Sequence, residues 1–339
     1  MSSSRTSHNN KWYTIINPNA GKGKGRKDWG RISSLMQEAG ISYEAVFTRG
    51  MHDAIDLTRK AIREGWRRFV VVGGDGTINE TVNGILGQQE IPVTEIKLGI
   101  IPVGTGNDWG RMFGIPGDYS KAVDTLRRER TFYQDAGVVR YEQDGTRHQR
   151  YFINIAGLGF DAVVVQRANL RKARGRSGIM VYMQTLLFTL ATYRHTHTTL
   201  DLDGQHFSGP VFTISIGIGR YSGGGMIQTP HAIADDGWFD VTIIRKIGKL
   251  DIIRHLGMLF NGRLPEHPKV ITCRAKKIRI DSEPEIHLEV DGETLGHSPI
   301  EMEILKKKVA VVVGDEFDPA AVIAPEQNAP EIASASSCR

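Results

Sequence analysis

Apolar positions in the first third of the chain come as short runs set between amphipathic stretches. Trp12 to Ile16, Tyr43 to Phe47, Phe69 to Val72 and Leu98 to Pro102 read as strands, and Val70-Val71-Val72 has the β-branched character of one buried on both faces. Arg26 to Ala39, His52 to Glu64, Thr77 to Leu86 and Tyr119 to Arg128 read as helices, with a further one through Met112. The third of these carries Ile78, Val82, Ile85 and Leu86 on one face. Alternation of strand and helix predicts an α/β domain on a doubly wound, mainly parallel sheet. Ligands of such sheets sit at the carboxyl ends of the strands.

After Phe132 the pattern changes. Gly137 to Arg140 and Arg150 to Ile155 read as strands joined by the polar turn Gln143-Asp144-Gly145. Thr198 to Leu202, Val211 to Ile218, Phe239 to Ile244, Lys277 to Asp281 and Ile286 to Val290 follow, broken by Gly, Pro and Asp clusters. This half is expected to be a β-rich sandwich or closed sheet. The expected division is residues 11–134 as an α/β domain and 135–304 as a β-sandwich domain. Residues 305–318 would hold a late strand, Val309 to Val313, returning to the first domain. Residues 1–10 and 319–339 are expected to be disordered.

Length and composition agree with two domains: 339 residues, 40% of them hydrophobic. The 38 glycines fall largely in clusters, which suits several ligand-facing turns rather than a flexible linker. A net charge of +5 suits an anionic ligand or an anionic membrane surface. Cys273 and Cys338 are too isolated for a disulfide framework or a zinc spacing. The first ten residues have no apolar signal region, so a cytoplasmic protein is expected. Gly178 to Ala191 is the longest apolar stretch, but Gln184 and Thr185 interrupt it and it falls short of the ~20 residues of a membrane span.

The candidate chemistry centres on Gly73-Gly74-Asp75-Gly76-Thr77-Ile78-Asn79-Glu80, which follows the buried strand. Glycines let backbone approach a ligand, and N–H groups at a strand-to-helix turn favour an anion. Asp75 would repel a polyphosphate unless a cation intervenes, which points to Mg²⁺ and phosphoryl chemistry. The plainer alternative is a structural turn that caps the helix. Asn17-Pro18-Asn19-Ala20-Gly21 closes the first strand but is neither a Walker loop nor a Gly-x-Gly-x-x-Gly motif. Gly104-Thr105-Gly106-Asn107-Asp108 follows the fourth strand and reads as a second ligand turn or an Asn/Asp cap.

In the second half, Gly157-Leu158-Gly159-Phe160-Asp161-Ala162 matches Gly-x-Gly-x-x-Ala, yet no acid follows before Asp201, which disfavours a nicotinamide or flavin site. That interval carries Arg167, Arg171, Lys172, Arg174, Arg176 and Arg194, either a solvated face or a contact for anionic headgroups. Ile179 to Met183 and Leu186 to Phe188 read as a buried helix or an acyl-chain pocket. Ile233-Ala234-Asp235-Asp236-Gly237-Trp238 is an Asp-Gly turn or a loop for a hard cation. Glu293, after Asp291-Gly292, is a carboxylate able to take a proton from an alcohol.

In order along the chain, Asn17-Pro18-x-Ala20-Gly21, Gly73-Gly74-Asp75-Gly76-Thr77-x-Asn79-Glu80, Pro102-x-Gly104-Thr105-x-Asn107-Asp108, Gly157-x-Gly159-Phe160-Asp161 and Asp291-Gly292-Glu293 resemble the diacylglycerol kinase catalytic-domain family, in its bacterial soluble branch. The resemblance spans Tyr13 to Ile304; the Gly-Gly-Asp-Gly segment is shared with NAD kinases. It implies ATP in a crevice between the two domains. It implies nucleotide contacts from Asn17, Pro18, Asn19, Ala20 and Gly21, from Thr48, from Gly74, Asp75, Gly76, Thr77, Ile78, Asn79 and Glu80, and from Thr105. It implies Glu293 as catalytic base, with Asp75, Asp108 and Asp135 as an acidic network reaching the catalytic Mg²⁺. It implies a Mg²⁺ held by Asp236 and by main-chain carbonyls of Ile233 and Trp238.

The expected activity is ATP- and Mg²⁺-dependent phosphorylation of a lipid hydroxyl: diacylglycerol-like, phosphatidylglycerol or a sphingoid base. The protein would visit the inner membrane face, through Arg167 to Tyr193, without nucleic-acid partners, and as a homodimer or alone. Two other classes stay open: an NAD kinase-like enzyme, disfavoured by the apolar Ile179 to Leu190 segment, and a catalytically silent nucleotide-binding regulator, disfavoured by Asp75 together with Glu293.

Overall fold

Trp12, Tyr13, Ile15 and Ile16 are buried, as are Phe69 to Val72, so these two strands are covered on both faces. They belong to a computed structural model that describes residues 8, 10–104, 106–173 and 179–319. Expectations for residues 1–7, for Thr105, Arg174 and Arg176 and for the tail beyond 319 lie outside the described residues. The chain divides into two units, one of residues 1–136 with 306–319 and one whose described residues run from 137 to 305.

The first unit runs β1 (Trp12–Ile16), α1 (Ala20–Lys27), α2 (Trp29–Glu38), β2 (Tyr43–Phe47), α3 (Asp53–Arg63), β3 (Arg68–Gly73), α4 (Asp75–Leu86), β4 (Lys97–Pro102), α5 (Asp108–Met112) and α6 (Tyr119–Arg128). β1 pairs in parallel with β2 and β3, and β3 with β4, in registers such as Ile15↔Val71 and Val71↔Ile100. Ala310 and Val311 add a parallel partner on β4. Trp12, Ile16, Val70, Val72 and Ile101 share one core with Ile32 and Met36 of α2 and Ala122, Val123 and Leu126 of α6. Alternate strand positions therefore point into that layer. Gly84 lets α4 lie against α3: a Cβ there would stand 2.6 Å from Thr58 Cβ.

Two boundaries differ from the sequence reading. The helix expected over 26–39 is two helices that meet at Asp28, the first starting at Ala20. Gly21, Lys22 and Gly23 all have positive φ, of 57°, 61° and 88°, so the chain coils tightly straight after β1. α4 starts at Asp75 rather than Thr77, with Gly74 extended at its N-cap.

β5 (Thr131–Gln143) enters the second unit after Ala136. There follow β6 (Thr146–Phe152), β7 (Ile155–Gly159), α7 (Phe160–Ala173), α8 (Ile179–Thr192), β8 (Thr196–Leu202), β9 (Gln205–Gly217), β10 (Tyr221–Ser222), β11 (Met226–Ile227), β12 (Phe239–Arg245), α9 (Lys249–His255), α10 (Met258–Asn261), β13 (Val270–Ala275), β14 (Lys277–Glu283), β15 (His287–Val290) and β16 (Glu293–Val312). The strands of this unit pair antiparallel: β13 with β12, β12 with β9, β9 with β7 and β8, β7 with β15, and β14 with β8 and β16. Phe160, Val164, Leu186, Leu190, Phe212 and Ile247 form a core between α7, α8 and the strands.

Three hairpins close on Asp-Gly pairs: Asp144-Gly145, Asp203-Gly204 and Asp291-Gly292. Both residues of each pair have positive φ, the type I′ geometry that matches strand twist. Gly157 to Gly159 lies within β7, and α7 begins at Phe160, so this Gly-x-Gly is not a phosphate-facing turn. β13 is absent from the sequence reading, because Val270-Ile271-Thr272-Cys273-Arg274-Ala275 lacks clear alternation. Among the described residues no helix is long and apolar enough to cross a membrane.

Candidate functional site

In the first unit, three turns meet at the carboxyl ends of β1, β3 and β4. The backbone N–H groups of Val103 and Gly104 both donate to Gly73 O, at 2.8 and 3.1 Å. A Cβ on Gly74 would stand 3.1 Å from Gly104 Cα, and one on Gly104 would stand 2.7 Å from both Gly74 Cα and Asn107 Oδ1. A Cβ on Gly21 would meet Val103 O at 2.1 Å. Only glycine permits this convergence of backbones.

Side chains fasten the turns together. Asn17 Nδ2 donates to Thr77 Oγ1 at 3.0 Å, and Asn17 Oδ1 accepts the Asn19 N–H at 3.0 Å. Asn17 N–H donates to Val72 O at 3.0 Å, while Thr48 N–H donates to the neighbouring Ile16 O at 2.8 Å. Pro18 is buried, and Ala20 opens α1. Thus Asn17, Pro18, Asn19, Ala20, Gly21, Thr48, Gly74, Asp75, Gly76 and Thr77 gather at one end of the sheet. Ile78 and Asn79, in the same first turns of α4, are buried, and Asn79 Oδ1 accepts the Asn83 side-chain N–H at 3.1 Å. Asn107 is a site member absent from the expected contacts; its Nδ2 donates to Gly104 O at 2.9 Å.

The acids are engaged by backbone. Asp75 accepts the N–H groups of Asp108 at 3.2 Å and Trp109 at 3.1 Å, and so caps α5. Its carboxyl is partly accessible yet ringed by protein; burial pushes its pKa up, opposed by the N–H groups of Trp109 and Asp108. Glu80 caps α3 through the N–H groups of His52 and Ala54, at 2.9 and 3.2 Å. Asp108 and Asp135 are buried, and Asp135 Oδ1 accepts the Lys307 N–H at 2.6 Å. Asp75 is a strut between two turns as well as a candidate catalytic group.

In the second unit, Asp291 Oδ1 and Oδ2 together accept the N–H groups of Ile153, Asn154 and Ile155, at 3.1, 3.0 and 3.1 Å. Gly292 O accepts Asn169 Nδ2 at 3.2 Å. The Asp-Gly turn is therefore anchored to β7 and α7, and half-buried Glu293 follows it as the first residue of β16.

The expected metal loop carries a different charge balance. Asp236 Oδ1 accepts the Trp238 N–H at 3.0 Å, and Asp236 Oδ2 is ion-paired with Arg274 Nη2. Arg274 Nε also lies 3.5 Å from Asp240 Oδ2, and Lys276 Nζ sits 4.1 Å from the Trp238 ring centroid. Two cations thus face the loop, and a divalent ion at Asp236 would meet the Arg274 guanidinium. Asp236, the one carboxylate of the expected Ile233, Asp236 and Trp238 set, is thus ion-paired with Arg274 in this arrangement. Arg274 escaped the sequence reading because a lone Arg in an unrecognised strand carries no signal.

The sequence pattern of the diacylglycerol kinase catalytic domain matches residues 11–139, and that of the YegS C-terminal NAD kinase beta sandwich-like domain matches residues 154–313. The chain is 31% identical to a diacylglycerol kinase of Staphylococcus carnosus over 88% of its own length and 93% of the relative's. It is likewise 31% identical to that of Staphylococcus haemolyticus, over 88% and 86%. A solved diacylglycerol kinase from Bacillus anthracis str. Sterne superposes with a TM-score of 0.69 at 23% identity, covering 93% of this chain and 98% of that one. The likeness to the solved structure speaks for the fold: an α/β domain followed by a β-sandwich-like one.

Proposed function

From its membership of the diacylglycerol kinase family, to which the chain belongs as a lipid kinase, we propose that it transfers the γ-phosphoryl group of ATP to the hydroxyl of a diacylglycerol-like lipid. The observation that carries the nucleotide half of this reading is the meeting of Gly21, Gly74 and Gly104 at one end of the sheet. Glycine lets the three turns pack backbone against backbone, and turns gathered so closely would suit a triphosphate approached by backbone N–H groups. Asn17 to Gly21, Thr48 and Gly74 to Thr77 would line the site; Thr105, expected to join them, lies outside the described residues.

Glu293 is the proposed base. Its carboxylate takes the proton of the acceptor hydroxyl as the oxygen bonds to the γ-phosphorus and the β–γ bridging bond breaks, leaving ADP. Mg²⁺ carried by the triphosphate would offset its charge there. Asp75 keeps the turns after β3 and β4 in fixed relation through Trp109 and Asp108. No role is given to a second metal at residues 233–238.

A lipid acceptor calls for membrane contact, which we assign to the α7–α8 face. Leu170, Met180, Leu187 and Phe188 are exposed there, and Arg167 lies over the Phe188 ring. Exposed apolar side chains beside a cation suit an anionic headgroup layer. Incubation with labelled ATP and vesicles holding diacylglycerol, phosphatidylglycerol or a sphingoid base, with NAD as a soluble alternative, tests the reading. Label in a lipid product supports it; label in NADP, or in nothing, refutes it.

A further inference from the structure

Two buried acids that the proposed reaction does not use lie directly beneath the Asp291-Gly292 turn. Glu289 in β15 stands opposite Gly157 in β7. The missing side chain at Gly157 is where the acids meet: a Cβ there would stand 2.5 Å from Glu289 Oε1 and 3.1 Å from Asp161 Oδ2. Asp161 lies in the first turn of α7, and Gln228 Nε2 donates to its Oδ2 at 2.5 Å. On the other side, Glu289 Oε2 accepts the Gly292 N–H at 2.9 Å. The remaining turn amide, Asp291 N–H, donates to Ile155 O at 2.9 Å.

We propose that Gln228, Asp161 and Glu289 form a buried bracket that fixes the Asp291-Gly292 turn and so aims Glu293, making them positioning residues for this kinase. The inference rests on the reading of Glu293 as the base. Strand pairing alone does not fix the turn, since Gly292 at φ 84° is the most permissive point in it. The Gly292 amide is held by a side chain, and that side chain is Glu289. Gly157 is required for the same reason: any larger residue would displace both carboxyls.

Two carboxylates cannot both stay charged in such a place. Burial and then the Asp161 carboxyl push Glu289 well above the usual carboxylate range. A neutral Glu289 still presents a carbonyl oxygen to the Gly292 N–H. An amide of the same shape can do likewise, whereas alanine leaves that N–H without its acceptor and opens a hole.

The test compares Glu289→Gln with Glu289→Ala in the full chain, reading kcat and KM on diacylglycerol vesicles and hydrogen exchange at the Gly292 amide. The bracket predicts that Glu289→Ala lowers kcat by about tenfold or more, with KM for ATP within about twofold, and that Glu289→Gln restores most of the loss. It also predicts faster exchange at Gly292 in the alanine variant alone. Unchanged exchange and kcat in Glu289→Ala overturn it, and so does a Glu289→Gln variant as impaired as the alanine one. If Glu289→Ala fails to fold, Gln228→Ala must lower kcat and speed Gly292 exchange, and a normal result there overturns the bracket. A Glu293→Gln control separates the two readings: if it keeps full turnover, Glu293 is not the base, while the Gly292 exchange rates still decide whether the bracket sets the turn.

Discussion

Asn17 Nδ2 donates to Thr77 Oγ1 across 3.0 Å, tying the turn after β1 to the first turn of α4. Together with the contact of Gly74 on Gly104, it makes three loops one rigid end of the sheet. The nucleotide half of the site is thus mostly backbone, and its sensitivity lies in positions with no side chain.

Gly104→Ala tests this. The added Cβ would stand 2.7 Å from Gly74 Cα, so the β3 and β4 turns must part. ATP affinity should fall by about tenfold or more, as calorimetric titration would read, with thermal unfolding shifted by only a few degrees. Normal affinity in a folded Gly104→Ala variant would remove the turns from nucleotide binding.

The Asp236–Arg274 pair predicts how the 233–238 loop responds to metal. Mg²⁺ without nucleotide should leave the unfolding temperature of the protein unmoved, since the loop's carboxylate is already paired. Arg274→Met should destabilise by about 1–3 kcal/mol, measured by denaturant unfolding, because it strands Asp236 and the buried Asp240. A Mg²⁺-dependent rise that Asp236→Asn abolishes would restore the metal to the loop.

Asp240 gives a pH dependence with a defined sign. Burial raises its pKa from 3.8 to about 7, against the opposing charge of Arg274. A raised folded-state value favours the protonated form. The contribution is full below the unfolded value and is lost as pH climbs to about 7. Unfolding free energy should therefore drop by up to about 4 kcal/mol more across that window in the wild type than in Asp240→Asn. Parallel pH profiles for the two would contradict the assignment.

The α7–α8 face is tested by Leu187→Ser with Phe188→Ser. These side chains are exposed, so folding should be unaffected within about 0.5 kcal/mol. Sedimentation with anionic vesicles should weaken severalfold, while activity on a short-chain soluble diacylglycerol stays at the wild-type level. Equal loss on both substrates would place the effect in the chemistry instead.

What the sequence made legible follows physical signal strength. The strand runs Trp12 to Ile16 and Phe69 to Val72 were plain because both faces are buried. The helix Tyr119 to Arg128 was plain because Asp118 caps it and its apolar spacing is regular. Gly21 to Gly23 hid the true start of α1, since left-handed residues merged into a helix have no helical pattern. Gly157 and Gly159 matched a dinucleotide fingerprint already disfavoured by the missing acid; they serve strand β7, one of them to make room for Glu289 and Asp161. Motif order marked Asp75 and Glu293. It did not mark Gln228 or Arg274, whose partners are distant in sequence and appear only in three dimensions.

The most direct test of the account compares Glu293→Gln with the wild type, using labelled ATP and diacylglycerol vesicles. The variant should bind ATP with wild-type affinity and lose about 100-fold or more of its lipid-phosphorylating kcat, as expected on removing a general base. Wild-type turnover by Glu293→Gln would contradict the central claim.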